Sequence, residues 1–138
     1  GILLKIELLD KQVGKSQWNR EVLIYQTLNE YSTHLGIDLI AADGADVYPC
    51  FKGKVESVDY NTLDGTTIVV DHGNGLKTIY KSLAKEAQVV VGQEVITNDV
   101  LGKVSNSSSS EASIGAHVHL ETTLDGVFVN PMNYLGEK

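Results

Sequence analysis

Three of the four histidines of the chain lie in two short motifs whose residue types suit a metal ion. The first motif is His34-x-x-x-Asp38, and the second is His117-x-His119. Val118 and its strand-like surroundings predict a β-strand for the second motif, in which residues two apart share a face. Both imidazoles are therefore expected on one side, with Cα atoms roughly 6–7 Å apart. One ring could bind a metal ion while the other reaches the open side of that ion.

The first motif needs a bend before it can supply two ligands. Positions four apart on a straight strand lie about 13 Å apart, whereas zinc holds its ligand atoms at about 2.0–2.2 Å. Gly36, between His34 and Asp38, permits a bend or a bulge. A lone histidine is more often a satisfied polar residue than a ligand, and each motif alone is weak. Two histidines and a carboxylate together indicate a catalytic zinc site, which leaves one position for water.

Short β-strands are expected to position these residues. Ile2–Leu9 favours a strand, with a short helix as the alternative, and Asp10–Arg20 is polar and predicts a loop. Beyond residue 35, strand-like runs alternate with turn pairs, which predicts a mostly β fold with an antiparallel sheet or a β-sandwich. The runs include 55–58, 66–70, 88–91, 95–96, 100–104, 117–122 and 127–129. The turn pairs include Asp43-Gly44, Asp64-Gly65, Asn74-Gly75 and Asp125-Gly126.

Composition limits the choice of partners and of compartment. The 138 residues suit one ordinary domain, and a formal net charge of −7 makes nucleic acid an unsuitable partner. Cys50 is the single cysteine, which excludes an internal disulfide, and its apolar surroundings predict burial. No apolar run approaches the roughly 20 residues that span a bilayer. Because the chain starts at Gly1 without methionine, we expect a piece of a longer protein.

The sequence resembles the lysostaphin-type (LytM-like) zinc endopeptidases of bacterial cell walls, over about residues 31–135. The resemblance implies their duplicated hybrid motif-like β fold for residues 31–138, preceded by a partly strand-forming extension at 1–30. It also implies that His34, Asp38 and His119 bind Zn²⁺, that His117 is catalytic, and that the reaction is peptide-bond hydrolysis in peptidoglycan. The similar segments are His34–Ala42, Gly44–Tyr48, Gly53–Val55, Val70–Gly75, Gly92–Val95, Gly115–Glu121 and Val129–Pro131.

One position departs from the pattern of that family. A Tyr-x-His-Leu segment usually supplies a second catalytic histidine, but here Tyr80-Lys81-Ser82-Leu83 has Ser82 at the histidine position. A serine hydroxyl cannot act as an acid or a base near neutral pH. His72 lies in a turn where the family often has a non-catalytic histidine, so it is not expected to replace the missing group. The departure predicts weak or absent peptidase activity.

A narrower similarity is to the stage II sporulation protein Q group of spore-forming Firmicutes. It is carried by Ile79–Leu83 and by Val22–Gln26, which precedes a segment containing Tyr31. This resemblance implies an extracytoplasmic domain in the space between forespore and mother cell, attached through a membrane anchor that lies outside this chain. It also implies a role in engulfment and a channel partner of the mother cell, similar to stage III sporulation protein AH.

Three functions remain open from the sequence. The first is a zinc-binding module that acts by protein–protein contact. The second is an active zinc endopeptidase that cleaves peptidoglycan peptide bonds. The third is a domain that has lost its metal and only binds glycan or peptide.

Overall fold

The computed structural model describes residues 2–10, 15–26, 37–40, 43–105, 117–129 and 135–137. Side chains are described for 43–105 and 117–129. Three of the sequence expectations, His34, Gly36 and Tyr31, fall outside the described residues.

The described chain forms β-strands joined by turns and loops. Ten of its strands form one antiparallel sheet in the order β12-β1-β2-β3-β10-β7-β6-β5-β8, with β11 paired to β10, and β4 pairs with β9 separately. The expected mostly β, antiparallel fold is therefore confirmed. No helix in this part of the chain is long and apolar enough to cross a membrane. The strands are β1 (Ile2–Asp10), β2 (Lys15–Gln26), β3 (Ile37–Ile40), β4 (Asp46–Val47), β5 (Gly53–Asn61), β6 (Gly65–Gly73), β7 (Leu76–Leu83), β8 (Glu94–Val95), β9 (Gly102–Lys103), β10 (His117–Leu124), β11 (Val127–Val129) and β12 (Leu135–Glu137).

The N-terminal strands β1 and β2 are part of the main sheet. They pair antiparallel with each other, and β2 then pairs with β3 from Leu23 to Gln26. The first guess of a strand for residues 2–9 agrees with β1, but the loop expected at 10–20 is wrong for residues 15–20, because β2 begins at Lys15. Pairing with β1 gives the backbone groups of this polar stretch partners that its composition does not reveal.

Two of the expected turn pairs close two-residue hairpins. Asn74-Gly75 joins β6 to β7, and Asp125-Gly126 joins β10 to β11. All four residues have positive φ, between 52° and 83°, as a type I′ turn requires. These turns connect β7 to β6 and β10 to β11, and β7 and β10 are the two strands that carry most of the candidate site.

The run Gln88–Val91 does not form the strand that its composition predicted. It precedes a turn in which the Gln93 amide donates to the Val90 carbonyl at 3.1 Å, and Gly92 has φ +89°. Val90 and Val91 are exposed there. Apolar β-branched residues suit a strand only when a neighbouring strand is available, and this segment has none in the described sheet.

The hydrophobic core lies on one face of the β6, β7 and β10 strands. Ile68, Val70, Tyr80, Val118 and Leu120 are all at most 6% exposed. On β10, Val118 and Leu120 alternate with the polar residues of the opposite face. The core therefore fixes which side of β10 is left for chemistry.

A chain of hydrogen bonds crosses this core between two backbone segments. The Cys50 amide donates to the Tyr80 hydroxyl at 2.8 Å, and that hydroxyl lies 2.6 Å from Thr78 Oγ1. Thr78 Oγ1 lies 2.7 Å from His72 Nε2, and His72 Nδ1 lies 2.8 Å from the Lys52 carbonyl oxygen. Each polar side chain in this series thus has a hydrogen-bond partner, as burial of polar groups requires.

Cys50 is buried, as its surroundings predicted, and is 5% exposed. Burial raises the pKa of its thiol to about 11, although a hydrogen bond with Tyr80 opposes part of the rise. Because the thiolate is the reactive form, Cys50 is inert at neutral pH and serves as a packing residue.

Replacing Tyr80 by Phe tests this hydrogen-bond chain. The change leaves the Cys50 amide and Thr78 without the hydroxyl they share, so the free energy of unfolding should fall by about 1–3 kcal/mol. Urea titration measures it. Tyr60→Phe, at a position 47% exposed, is the control and should change stability by less than about 0.5 kcal/mol. Equal stability of the two variants would show that this series of hydrogen bonds contributes nothing to the free energy of unfolding.

Candidate metal centre

The central strand β10 carries polar side chains on the face opposite the core, and three of them are histidine or glutamate. His117, His119 and Glu121 follow each other at intervals of two residues, so they share this face. They are buried, with His117 and His119 only 1% and 2% exposed. A strand this enclosed is normally apolar on both faces, so the row of polar residues identifies the candidate site.

Asp38 lies directly opposite His119 in the ladder between β3 and β10. Directly opposed residues of an antiparallel pair have their Cβ atoms about 4.5–5.5 Å apart. The fold thus brings two of the three predicted ligand positions next to each other, although they are 81 residues apart by the numbering, 119 minus 38. The third, His34, lies outside the described residues.

The ring of His119 contacts Glu121 of the same strand, and Glu121 in turn contacts Lys81 of the neighbouring strand β7. The Glu121 Oε2 atom lies 2.9 Å from His119 Nε2 and 3.4 Å from Lys81 Nζ. Lys81, on β7, is the residue opposite His119 in that ladder. One carboxylate oxygen therefore contacts both an imidazole and an ammonium group.

The charge state of Glu121 determines which nitrogen of His119 carries the proton. Burial by itself would raise the pKa of Glu121, but the hydrogen bond with His119 and the charge of Lys81 outweigh it, and the pKa lies below its usual value. Glu121 is therefore an ionised acceptor at neutral pH, and His119 Nε2–H donates to it. In this tautomer a metal ion bound by the neutral ring would bond to Nδ1.

Ser82 lies on a bulge in β7. Thr66 and Ile68 of β6 are opposite Leu83 and Tyr80, so β7 has one more residue than β6 between these pairs. Ser82 has φ +69° and is 3% exposed, and its amide donates to the Asp64 carbonyl at 2.9 Å. A residue with positive φ is typical of a bulge but is usually glycine. Such strain costs of order 1–3 kcal/mol and concentrates near functional sites.

His72 lies on β6, away from this row of residues. Its two ring nitrogens contact the Lys52 carbonyl and the Thr78 hydroxyl, and Phe51 packs edge-on against the ring at 5.4 Å between centroids. These contacts favour a structural role for His72, in agreement with the sequence interpretation.

Two residues next to His119 were not assigned a role from the sequence. Lys81 and Glu121 occur in the sequence only as members of the segments that resemble the family. Tyr25 is a third residue of interest, because it lies opposite Asp38 in the β2–β3 ladder. The positions Tyr25, Asp38, His119 and Lys81 thus form one row across four strands. The sequence contains no local signal for such a row, because cross-strand register joins distant segments.

The donor set suits a zinc ion where it is described. Zinc accepts imidazole nitrogen and carboxylate oxygen, and a ligating histidine usually donates its other N–H to a carboxylate, as His119 does to Glu121. Among the residues whose side chains are described, no three of His, Cys, Asp and Glu form a metal-binding group. The side chains of His34 and Asp38 are not among those that the structure describes.

Sporulation proteins are similar in sequence to most of this chain. Stage II sporulation protein Q of Bacillus subtilis is 38% identical over 118 residues, which cover 84% of this chain and 41% of that protein. The chain therefore spans about two fifths of the length of that relative. A chain in the structure of the SpoIIQ–SpoIIIAH pore-forming complex is 32% identical, with a TM-score of 0.68, over 96% of this chain and 82% of that one.

The fold agrees with that of lysostaphin. The catalytic domain of lysostaphin from Staphylococcus simulans superimposes with a TM-score of 0.62 at 20% identity, over 73% of this chain and 77% of that one. The model of peptidase family M23 matches residues 32–131, which contain the candidate positions on β3, β7 and β10. The chain therefore belongs to peptidase family M23.

Proposed function

We propose that this domain binds one Zn²⁺ through His34, Asp38 and His119 and acts mainly by protein–protein contact, outside the cytoplasm of a sporulating cell. The observation that carries the proposal is the position of His119. It is buried, opposite Asp38 in the sheet, and its Nε2 atom lies 2.9 Å from Glu121 Oε2. A ring oriented in this way suits a metal ligand that bonds through Nδ1.

The residues around the ion have separate roles in this proposal. His34, Asp38 and the Nδ1 atom of His119 hold the metal, and His117 lies two residues before His119 on the same face of β10. A bound zinc ion would supply a Lewis acid that polarises a carbonyl and lowers the pKa of water. His117 could then hold or move a proton at its ring nitrogens, since imidazole titrates near neutral pH.

Ser82 is the reason to propose weak or absent peptidase activity. In this assignment it replaces the second catalytic histidine of the family, and a serine hydroxyl cannot act as a general acid or base near neutral pH. Loss of a general acid or base commonly lowers the rate by about 10²–10⁴-fold. The ligand positions are retained, however, so a bound metal could still stabilise the domain and shape its surface.

The proposed partner is a mother-cell protein similar to stage III sporulation protein AH. Support comes from the relatives, since stage II sporulation protein Q is similar over 84% of this chain and SpoIIQ occurs in a complex with SpoIIIAH. We further propose that residues 31–138 are the peptidase-like domain and that residues 1–30 are an extension whose strands enlarge its sheet. A membrane anchor outside this chain would attach the domain to the forespore.

Zinc content tests the metal assignment. Protein purified without added metal or chelator should contain close to one zinc per chain by elemental analysis, because three protein ligands hold a catalytic-type ion firmly. His119→Ala should abolish binding, whereas His72→Ala, which removes a histidine engaged in the core, should leave the zinc content unchanged once the folded fraction is isolated. Unchanged zinc in His119→Ala would refute the ligand assignment.

A pull-down against the SpoIIIAH-like partner tests the contact function. The domain should retain the partner, and we expect a chelator to change the amount retained if the zinc site shapes the docking surface. A parallel pull-down with the lysostaphin catalytic domain, which shares only the fold, controls for nonspecific capture. Absence of binding both with and without chelator would exclude this function.

An active peptidoglycan endopeptidase is the second candidate, and the buried His117, on the same strand as His119, favours it. Mass spectrometry of purified muropeptides should show no new fragments with the unmodified, zinc-loaded chain. Ser82→His should produce fragments, because it restores a proton-transfer group at a rate gain of about 10²–10⁴-fold. Ser82→Ala is the control and should stay inactive. Cleavage by the unmodified chain would establish the second candidate instead.

A further inference from the structure

We infer that Lys81 is a positioning residue for the metal centre, because its ammonium group holds the carboxylate that orients the His119 ring. The inference rests on the proposed zinc site and adds to it a residue of β7. No residue of that strand belongs to the ligand set.

The contacts form a short series that leads from β7 to the ring. Lys81 Nζ lies 3.4 Å from Glu121 Oε2, and the same oxygen lies 2.9 Å from His119 Nε2. Lys81 and His119 are directly opposed in the β7–β10 ladder, and Glu121 is the next residue on the same face as His119. The lysine ammonium group therefore lies next to the carboxylate oxygen that contacts the Nε2 atom of the imidazole.

Burial makes this ion pair different from a surface pair. The Glu121 side chain is 8% exposed and that of Lys81 34%. A carboxylate enclosed to this degree needs an opposite charge, since an isolated buried charge is costly. Without Lys81, the Glu121 carboxylate would keep only His119 as a partner among the described residues. Rotation of the carboxylate towards water, away from the ring, would then lower its free energy.

The consequence for a metal ion follows from the role of such carboxylates. Groups that hydrogen-bond to a ligating histidine fix its ring and its tautomer, and their loss typically costs 10–100-fold in metal affinity. If Lys81 keeps Glu121 in place, then zinc affinity must depend on Lys81 although its ammonium group cannot bind zinc. That dependence must disappear once Glu121 no longer carries a charge.

The strand itself supplies a matched control. Lys77, also on β7, pairs with Glu56 at 2.6 Å, but both side chains are more exposed, at 38% and 42%. Pairs of this kind contribute little, because water and salt screen them. Lys77→Met therefore removes the same charge from the same strand without affecting the ring of His119.

The experiment measures the zinc dissociation constant by competition with a chromophoric chelator. It compares the unmodified chain with Lys81→Met, Lys81→Arg, Glu121→Gln, the Lys81→Met/Glu121→Gln double variant and Lys77→Met. We expect Lys81→Met to weaken binding by about 10-fold, the lower end of the range for such supporting groups. Lys81→Arg should restore affinity, Lys77→Met should match the unmodified chain, and the double variant should bind no more weakly than Glu121→Gln.

The outcomes separate this inference from the proposed function. Equal affinity in Lys81→Met and Lys77→Met would overturn the inference, and so would independent, additive losses in the double variant. A loss confined to thermal stability of the metal-free protein would also overturn it, because that result indicates a purely structural role. If the unmodified chain binds no zinc, the proposed function fails. The inference about Lys81 is then decided by the tautomer of His119, which proton–nitrogen NMR correlations report. Loss of the Nε2–H tautomer in Lys81→Met supports it, whereas an unchanged tautomer contradicts it.

Discussion

The buried polar face of β10 constrains the neighbouring strands, because its side chains need polar or charged partners from them. His117, His119 and Glu121 are buried together on a strand whose other face packs into the core. A buried carboxylate without partners would cost several kcal/mol, so the fold must supply partners from the strands on either side. β7 supplies Lys81, and β3 places Asp38 opposite His119. A slip of one residue in either ladder would exchange the two faces of the strand.

The bulge in β7 reconciles two demands on that strand. Up to Lys81 its residues alternate between buried and half-buried, but Ser82 and Leu83 are both buried. The extra residue lets Lys81 lie opposite His119 while Leu83, the next core residue, pairs with Thr66. Ser82 takes the left-handed conformation that the bulge requires. Ser82, which we propose to replace the second catalytic histidine, thus lies at a strained and enclosed position.

Strand β7 also connects two polar systems on its two faces. On the core face, Thr78 and Tyr80 belong to the hydrogen-bond chain between Cys50 and His72. On the other face, Lys81 belongs to the series that ends at His119. Buried hydrogen-bond networks of this kind make a core specific, because each group has few alternatives. The hydrogen bonds on the core face of β7 therefore help to fix the strand that carries Lys81 on its other face.

The sequence by itself determined the class of the fold, the positions of two of the turns and the family. Alternating apolar residues, turn pairs such as Asn74-Gly75 and the motifs around Asp38 and His119 are local patterns, and local patterns persist in any structure that the chain adopts. The replacement of a family histidine by Ser82 stays a prediction of the sequence. The sequence interpretation was wrong about the polar stretch before Arg20 and about Gln88–Val91, because whether such a stretch forms a strand depends on a neighbouring strand.

Only the tertiary structure decided the surroundings of His119. The row from Tyr25 through Asp38 and His119 to Lys81 joins four strands from distant parts of the chain. Likewise, no spacing in the sequence indicates that Lys81 and His119 share one carboxylate oxygen. Register, burial and a bulge fix that arrangement, and all three depend on how strands pair rather than on the residues within any one of them.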